Sequence, residues 1–237
     1  MLFYYQVFRD DVGIAPYSDK LLTKNGAFAT GKGYGMKNQA FEQMNQVALH
    51  WLSGRDPHDI AKKAGISYDG EAQCFFFSSM GMDLTMTYPD YRITPQVGKW
   101  HYLLILHYLH LADGSALTGE GISFGQMQGG MVRGGGIDRK CEMAIRAVQD
   151  FDALAQACRD MGGREIPSNA DAAYCIPFLP RLPVTLKIWF ADEEFPASGR
   201  LFLDGSADHY FTAEDAVAMA EMLLERLTVP AQERTFS

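Results

Sequence analysis

The segment from Val97 to Leu111, VGKWHYLLILHYLHL, most constrains the fold because it is apolar on nearly every side. A helix with one polar face can lie on a protein surface, whereas a helix that is apolar all round must be enclosed. The segment is also too short to span a bilayer, which takes about 20 residues. The sequence therefore predicts a helix buried in the middle of the protein.

Two histidines interrupt one face of this apolar helix. His107 and His110 are three residues apart, a spacing that places both imidazoles on the same side, whereas His101 lies on another face. Such a pair can bind a metal ion or the central atom of a cofactor, and either ring can transfer protons. In the alternative interpretation, each imidazole donates to a buried carbonyl or reaches the surface.

The stretch from Leu179 to Asp215 combines the clearest strand pattern with the densest group of acidic residues. Apolar side chains alternate with half-polar ones over Val184–Phe190, and this period of two predicts a strand with one buried face. A second apolar run, Leu201 to Leu203, is expected to pair back antiparallel. This hairpin places three carboxylates at one end and Asp204 at the far end of its second strand.

The three carboxylates are Asp192, Glu193 and Glu194. Neighbouring carboxylates can divide into an acid and a base where one is desolvated, because like charges a few ångströms apart do not both ionise readily. Asp192, Glu194 and His107 are therefore candidate catalytic residues. The alternative is that the acidic side chains diverge into water, as neighbours on a turn usually do.

The segment after Asp204 resembles the spacing of a calcium-binding loop. Oxygen-bearing side chains follow at alternate positions, and the candidate metal ligands are Asp204, Ser206, Asp208 and Asp215. The pattern departs from such a loop because His209 occupies the glycine position, Asp215 replaces a glutamate, and a strand leads in. In the competing interpretation, Asp215 and Thr212 cap the following helix while Asp204 and Asp208 make turn hydrogen bonds.

Eight glycines lie between Thr118 and Gly136. A stretch of this composition predicts loops or a place where a ligand approaches the backbone closely. Arg133, within the stretch, is a candidate partner for an anionic ligand. The alternative is a solvated arginine.

The composition bounds the class of protein. A chain of 237 residues with 47% apolar residues predicts one domain over residues 1–237, with a loose tail at about 230–237.

Nine acidic residues and two arginines between Phe190 and Arg226 carry most of the net charge of −8, which argues against nucleic acid and membrane partners. The amino terminus lacks the features of a signal peptide, so we expect a cytoplasmic protein. The four cysteines lack iron–sulfur and zinc-ribbon spacing.

The predicted fold is α+β, with a mostly antiparallel sheet packed by the buried central helix and by a C-terminal helix that starts at Thr212. Because the short strands alternate with helices, a parallel sheet is the alternative. The remaining predicted elements are helices over about Lys37–Leu52, from Pro57 to before Gly65 and over about Asp138–Met161, and strands over Cys74–Phe77, Leu84–Tyr88 and Ala172–Phe178.

Several blocks of this sequence resemble one protein family. They are ILHYL (Ile105–Leu109), ADGSALTGEGISF (Ala112–Phe124), LPRLPVTLKIWFADEEFPA and LFLDGSADHYFTAED, and they are similar to the bacterial and archaeal domain of unknown function 3786. The resemblance extends from about Ala48 to Leu227. It implies a role in anaerobes, where some members are joined to a four-cysteine iron–sulfur segment that this chain lacks. Any redox role then falls to a protein partner. Residues at the family's recognisable positions are His107, Trp189, Asp192, Glu193, Glu194, Asp204 and Asp215.

Three functional hypotheses follow. The first is an accessory protein of anaerobic metabolism that binds a small molecule, a cofactor or a metal ion, with cofactor contacts from His107, His110, Arg133 and Trp189. The second is an enzyme that uses Asp192, Glu194 and His107 for acid–base chemistry. The third is a protein-interaction module that presents an acidic face to a basic partner.

Overall fold

The computed structural model describes residues 33–132 and 135–228 of the chain. Arg133 and the predicted tail from about residue 230 lie outside the described residues. The described helices are α1 (Gly33–Leu52), α2 (Pro57–Ala64), α3 (Lys99–Leu111), α4 (Gly135–Arg146), α5 (Phe151–Asp160) and α6 (Ala213–Thr228). The strands are β1 (Ser67–Asp69), β2 (Cys74–Ser79), β3 (Met82–Thr87), β4 (Ile93–Thr94), β5 (Gly121–Ile122), β6 (Arg164–Glu165), β7 (Ala172–Leu179), β8 (Leu182–Trp189) and β9 (Ser198–Asp204).

The strands form two antiparallel sheets, which confirms the predicted single-domain α+β fold. The first sheet has the order β1-β2-β3-β4 and the second the order β5-β9-β8-β7-β6. The parallel alternative was wrong, because every strand pair of the described residues is antiparallel. Sequence reasoning had also grouped β2 and β3 with the later hairpin, whereas they belong to the first sheet.

The second sheet has one buried face and one open face. Along β8, buried residues alternate with partly exposed ones, as the period of two in the sequence predicts. Ile188 pairs with Gly199 of β9 on the buried face, and α4 packs closely against this glycine. Lys187 pairs with Arg200 on the open face.

Helix α3 is buried along its length, as predicted. Nearly all its residues from His101 to Leu109 are buried, and α1, α2 and α6 pack against it. Several of its polar side chains have hydrogen-bond partners deep in the fold. Tyr108, for example, donates to the backbone oxygen of Ala64 at the end of α2. Within the described residues, no helix is long and apolar enough to cross a membrane.

Ser79 connects the two sheets to α3. Its hydroxyl donates to the backbone oxygen of Phe178 in β7 at 2.6 Å and lies 2.8 Å from Nε2 of His101. Because a serine hydroxyl has one hydrogen, which is donated to Phe178, the His101 ring must donate at Nε2. One buried side chain therefore links β2, β7 and the central helix.

One long helix predicted over Asp138–Met161 was wrong. Helix α4 ends at Arg146 and α5 begins at Phe151. The interruption has a local cause, since the side chain of Asp150 accepts a hydrogen bond from the backbone nitrogen of Ala153 and caps α5. Short acidic side chains favour such capping positions over helix interiors.

The predicted ends of α2 are confirmed. Asp56 caps the helix by accepting from the backbone nitrogen of His58, and Pro57 occupies the first helical position. Gly65 ends the helix with a left-handed backbone, at a φ of 67°.

The close approach of α4 to β9 predicts that Gly199→Ala will destabilise the protein. A Cβ atom at Gly199 would lie 2.4 Å from Cγ1 of Ile145 and 3.4 Å from Sγ of Cys141, so the helix must shift. We expect a loss of about 1 to 3 kcal/mol in the free energy of unfolding, measured by denaturant titration. The matched control is Gly136→Ala in α4, where a Cβ meets no atom within 4 Å. Equal stability of Gly199→Ala and the wild type would contradict the packing described here.

Candidate functional site

The centre of the candidate site is a buried pair formed by His107 and Asp215. Nδ1 of His107 on α3 lies 2.7 Å from Oδ1 of Asp215 at the start of α6, and both side chains are almost fully buried. The second carboxylate oxygen of Asp215 accepts from the hydroxyl of Thr212 at 2.8 Å and from its backbone nitrogen at 3.2 Å. Thr212 in turn accepts from the backbone nitrogen of Asp215, so the two residues cap α6 as predicted.

The pair fixes the tautomer of the His107 ring. Burial alone would raise the pKa of Asp215, but the charge and hydrogen bond of His107 and the hydrogen bonds of Thr212 outweigh burial and lower it. Asp215 is therefore ionised and accepts, which makes Nδ1 of His107 the donor. In the neutral ring the lone pair is then on Nε2, the form in which a histidine accepts a proton or binds a metal ion.

His110 lies one turn further along α3 and stacks on Trp51 of α1. The ring centroids are 4.7 Å apart and the planes are inclined by 24°, while the same indole lies 5.8 Å from the His107 ring. Nδ1 of His110 is buried and has no hydrogen-bond partner in the described part of the chain. Burial, followed by the charge of Arg55 and of His107, lowers the pKa of His110. Trp51 thus brings the two histidines together at one site.

Sequence reasoning correctly placed His107 and His110 on one face but missed Trp51 and missed Asp215 as the partner of His107. Asp215 is 108 residues away in sequence, and its local pattern predicted a helix cap or a calcium ligand, neither of which indicates a histidine partner. His101, on the other face, takes part in the buried contact with Ser79. Burial, with a smaller effect from Arg226, lowers the pKa of His101 to about 4, so this ring is neutral.

The acidic residues at the β8–β9 turn are on the surface and do not surround His107. Asp192, Glu193 and Glu194 are all exposed. Asp192 accepts from the backbone nitrogens of Phe195 at 2.7 Å and Glu194 at 2.8 Å, and these two hydrogen bonds lower its pKa. Its carboxylate therefore stabilises the turn, and the carboxylate beside His107 is that of Asp215.

Asp204 joins the end of β9 to the glycine-rich segment. Its Oδ1 accepts from the backbone nitrogens of Thr118 and Ser206, both at 2.9 Å, and from both hydroxyls, and its Oδ2 accepts from the backbone nitrogen of Gly119 at 2.8 Å. Burial raises the pKa of Asp204, but these hydrogen bonds outweigh it and lower the pKa to about 2. The carboxylate thus fixes the loop that follows α3.

The four candidate metal ligands are divided among three hydrogen-bond networks. Asp204 and Ser206 bond to each other and to Thr118, Asp208 accepts from the backbone nitrogen of Gln128, and Asp215 pairs with His107. Among residues 33–132 and 135–228, no group of three or more His, Cys, Asp and Glu side chains is arranged to hold a metal ion. The contacts match the competing interpretation instead. Asp215 caps α6, and Asp204 makes turn hydrogen bonds.

Trp189 lies apart from the histidines, on the open face of the second sheet. It lines a cleft of about 410 Å³ with Lys187, Arg200, Phe202, Asn169, Ser198, Gly199 and Glu142. The candidate cofactor residues therefore divide between two places, the α3 histidines and this cleft, while Arg133 lies outside the described residues.

The hydrogen bonds of Asp204 predict a specific dependence of stability on pH. Since its pKa is lowered from 3.8 to about 2 by folding, the stabilisation is complete above about pH 4 and is lost as the pH falls through 2. The shift corresponds to about 2 kcal/mol, and solvent around the partly exposed carboxylate reduces it to about 1 kcal/mol.

Asp204→Asn should therefore be less stable than the wild type at pH 7. Its amide nitrogen is a hydrogen-bond donor and would face another donor, the backbone nitrogen of Gly119. The difference should shrink between pH 4 and pH 2, measured by denaturant titration across this range. Asp208→Asn, which keeps an acceptor for Gln128, is the control. A difference from the wild type that is the same at pH 2 and pH 7 would refute the assigned role of Asp204.

Comparisons with known proteins identify one family. No curated protein and no solved structure matches the chain. A family model described as a domain of unknown function, DUF3786, matches residues 56–226. The match confirms the resemblance seen in the sequence blocks and covers well over half of the chain, so this protein belongs to the DUF3786 family.

Proposed function

We propose that this protein binds a small ligand or a metal-containing cofactor at the histidine end of α3, as an accessory protein. The observation that carries the proposal is the buried Nδ1 of His110, which has no hydrogen-bond partner in the described residues and lies beside an oriented His107. A buried polar atom without a partner costs about 1 to 3 kcal/mol. The described residues contain three others, Nδ1 of His101, Oδ1 of Asn45 and Nε of Arg181, and the nitrogen of His110 is the one on the helix face of His107. A ligand that donates to this nitrogen or coordinates it removes that cost.

The geometry around the two histidines supports recognition through their ring nitrogens. The pairing with Asp215 gives His107 a defined tautomer, and carboxylates that accept from the far nitrogen of a histidine ligand orient it in this way in many proteins. Burial lowers the pKa of His110, which favours the neutral ring with a lone pair on one nitrogen. Trp51 contacts both rings and limits their rotation.

The ligand class follows from this chemistry. Imidazole nitrogens accept hydrogen bonds and coordinate metals, so the ligand presents either hydrogen-bond donors or a metal of the type that binds nitrogen, such as zinc, iron or cobalt. Since two histidines alone do not complete a metal site, a metal would arrive with its own ligands, as in a cofactor. A role in anaerobic metabolism and a redox partner rest on the family resemblance alone.

The proposal is tested by purifying the protein without oxygen and without added metal, then measuring its metal content, absorbance spectrum and small-molecule content by mass spectrometry. We expect a stoichiometric ligand in the wild type and in His50→Gln, a control at an exposed histidine of α1. His110→Gln should lose the ligand while keeping the fold, since its Nδ1 has no protein partner to lose.

His107→Gln tests the second ring but also breaks a buried pair. We expect it to lower the free energy of unfolding by about 3 to 5 kcal/mol, because the charge of Asp215 then stays buried without its partner. His110→Gln therefore decides the proposal. A wild type free of metal and organic ligand, or a His110→Gln variant with full ligand content, would exclude binding at these histidines.

A second candidate function is acid–base catalysis by His107, with Asp215 in place of Asp192 and Glu194. A buried carboxylate at Nδ1 orients a histidine for proton transfer at Nε2 in many enzymes. This function predicts that the rate depends on His107 and Asp215 and is unchanged in Glu194→Gln.

A further inference from the structure

The open face of the second sheet carries two positive charges directly beside each other. Lys187 of β8 and Arg200 of β9 are paired residues of the antiparallel ladder, so their side chains leave the sheet on the same face. Cross-strand neighbours have Cβ atoms about 4.5 to 5.5 Å apart, and like charges in this position are destabilising. An anion between the two groups would reduce this repulsion.

The described residues supply only part of that compensation. The ammonium group of Lys187 donates to Oδ1 of Asn169 at 3.1 Å and lies 5.3 Å from the centre of the Phe202 ring. Both contacts hold the group on the sheet face, and neither cancels its charge. In the described part of the chain, no salt bridge involves Lys187 or Arg200. Glu142, the carboxylate of the cleft, lies 4.0 Å from Arg146 instead.

The same cleft has an aromatic wall. Trp189 follows Lys187 on the same face of β8 and is partly exposed, and Phe202 follows Arg200 on β9. Two cationic side chains at paired strand positions next to flat apolar surfaces match a molecule that joins an oxyanion to a flat ring. At about 410 Å³, the cleft has the size of a small-molecule site.

We propose that this cleft binds a small planar anion, with its carboxylate or phosphate group between Lys187 and Arg200 and its ring against Trp189. Arginine supplies two parallel donors for the oxyanion, and the amide of Asn169 and the hydroxyl of Ser198 border the same space. The site is separate from the α3 histidines and does not depend on the proposed function.

The test is isothermal titration calorimetry with phenyl phosphate and with benzoate, which share the ring and differ in the oxyanion. Inorganic phosphate is the control that has the anion without the ring, and benzyl alcohol is the control that has the ring without the anion. We expect one of the two aromatic anions to bind saturably and more tightly than either part. Each of Lys187→Gln and Arg200→Gln should weaken that binding by about tenfold or more, since each removes a charge-assisted hydrogen bond.

The matched control is Arg164→Gln, which removes an exposed arginine from β6. Arg164 pairs with Cys175 and Cys175 pairs with Thr185, so Arg164 lies on the same open face as Lys187 but two strands away. It should change the affinity by less than about twofold, because surface charges act weakly over a distance of two strands. Trp189→Ala should weaken binding of the aromatic anion and leave the response to inorganic phosphate unchanged. His110→Gln should leave this binding intact.

A second measurement does not depend on the choice of probe. Without an anion, Arg200→Gln should raise the melting temperature, because it relieves the repulsion from Lys187. The proposal is overturned if neither aromatic anion binds, if inorganic phosphate binds as tightly as phenyl phosphate, or if Arg164→Gln weakens binding as much as Arg200→Gln. A melting temperature lowered by Arg200→Gln would also contradict it.

Discussion

The need to enclose α3 on every side determines the rest of this fold. A helix that is apolar all round is stable in water only when other elements cover its whole surface. Here α1, α2 and α6 pack against it, and Ser79 ties its His101 to both sheets. Burial then applies to its polar groups as well, so each imidazole and hydroxyl on the helix needs a partner from a neighbouring element. The pairing of His107 with Asp215 arises from this requirement.

Local patterns in the sequence were enough to predict the elements that depend on local physics. The burial of α3, the alternation along β8, the cap of α2 at Asp56 and the cap of α6 at Thr212 were each encoded within a few residues. The failure at α4 and α5 was also local, since Asp150 offers a cap that periodicity alone does not reveal. The spacing of apolar residues is a poor guide to where a helix ends if a polar side chain can hydrogen-bond to the backbone and start a new helix.

The contacts that build the candidate site were beyond this kind of inference because they join distant parts of the chain. His107 meets Asp215 across 108 residues, and Asp204 meets Thr118 across 86. The sequence showed that both aspartates were candidates for chemistry, but it did not show where their oxygens would point. In the fold, Asp204 and Asp192 hold loops through backbone nitrogens, whereas Asp215 is buried and reaches the imidazole of His107. Burial therefore separates the structural carboxylates from the functional candidate.

The net negative charge and a cationic cleft are compatible because electrostatic effects depend on distance. At physiological salt the screening length is about 8 Å, so a small anion in the cleft responds mainly to the charges that line it, which are Lys187, Arg200 and Glu142. A long polyanion would extend over the acidic surface, including the β8–β9 turn with Asp192, Glu193 and Glu194, and would be repelled there. In the proposed site, the cleft therefore selects its anion by size as well as by sign.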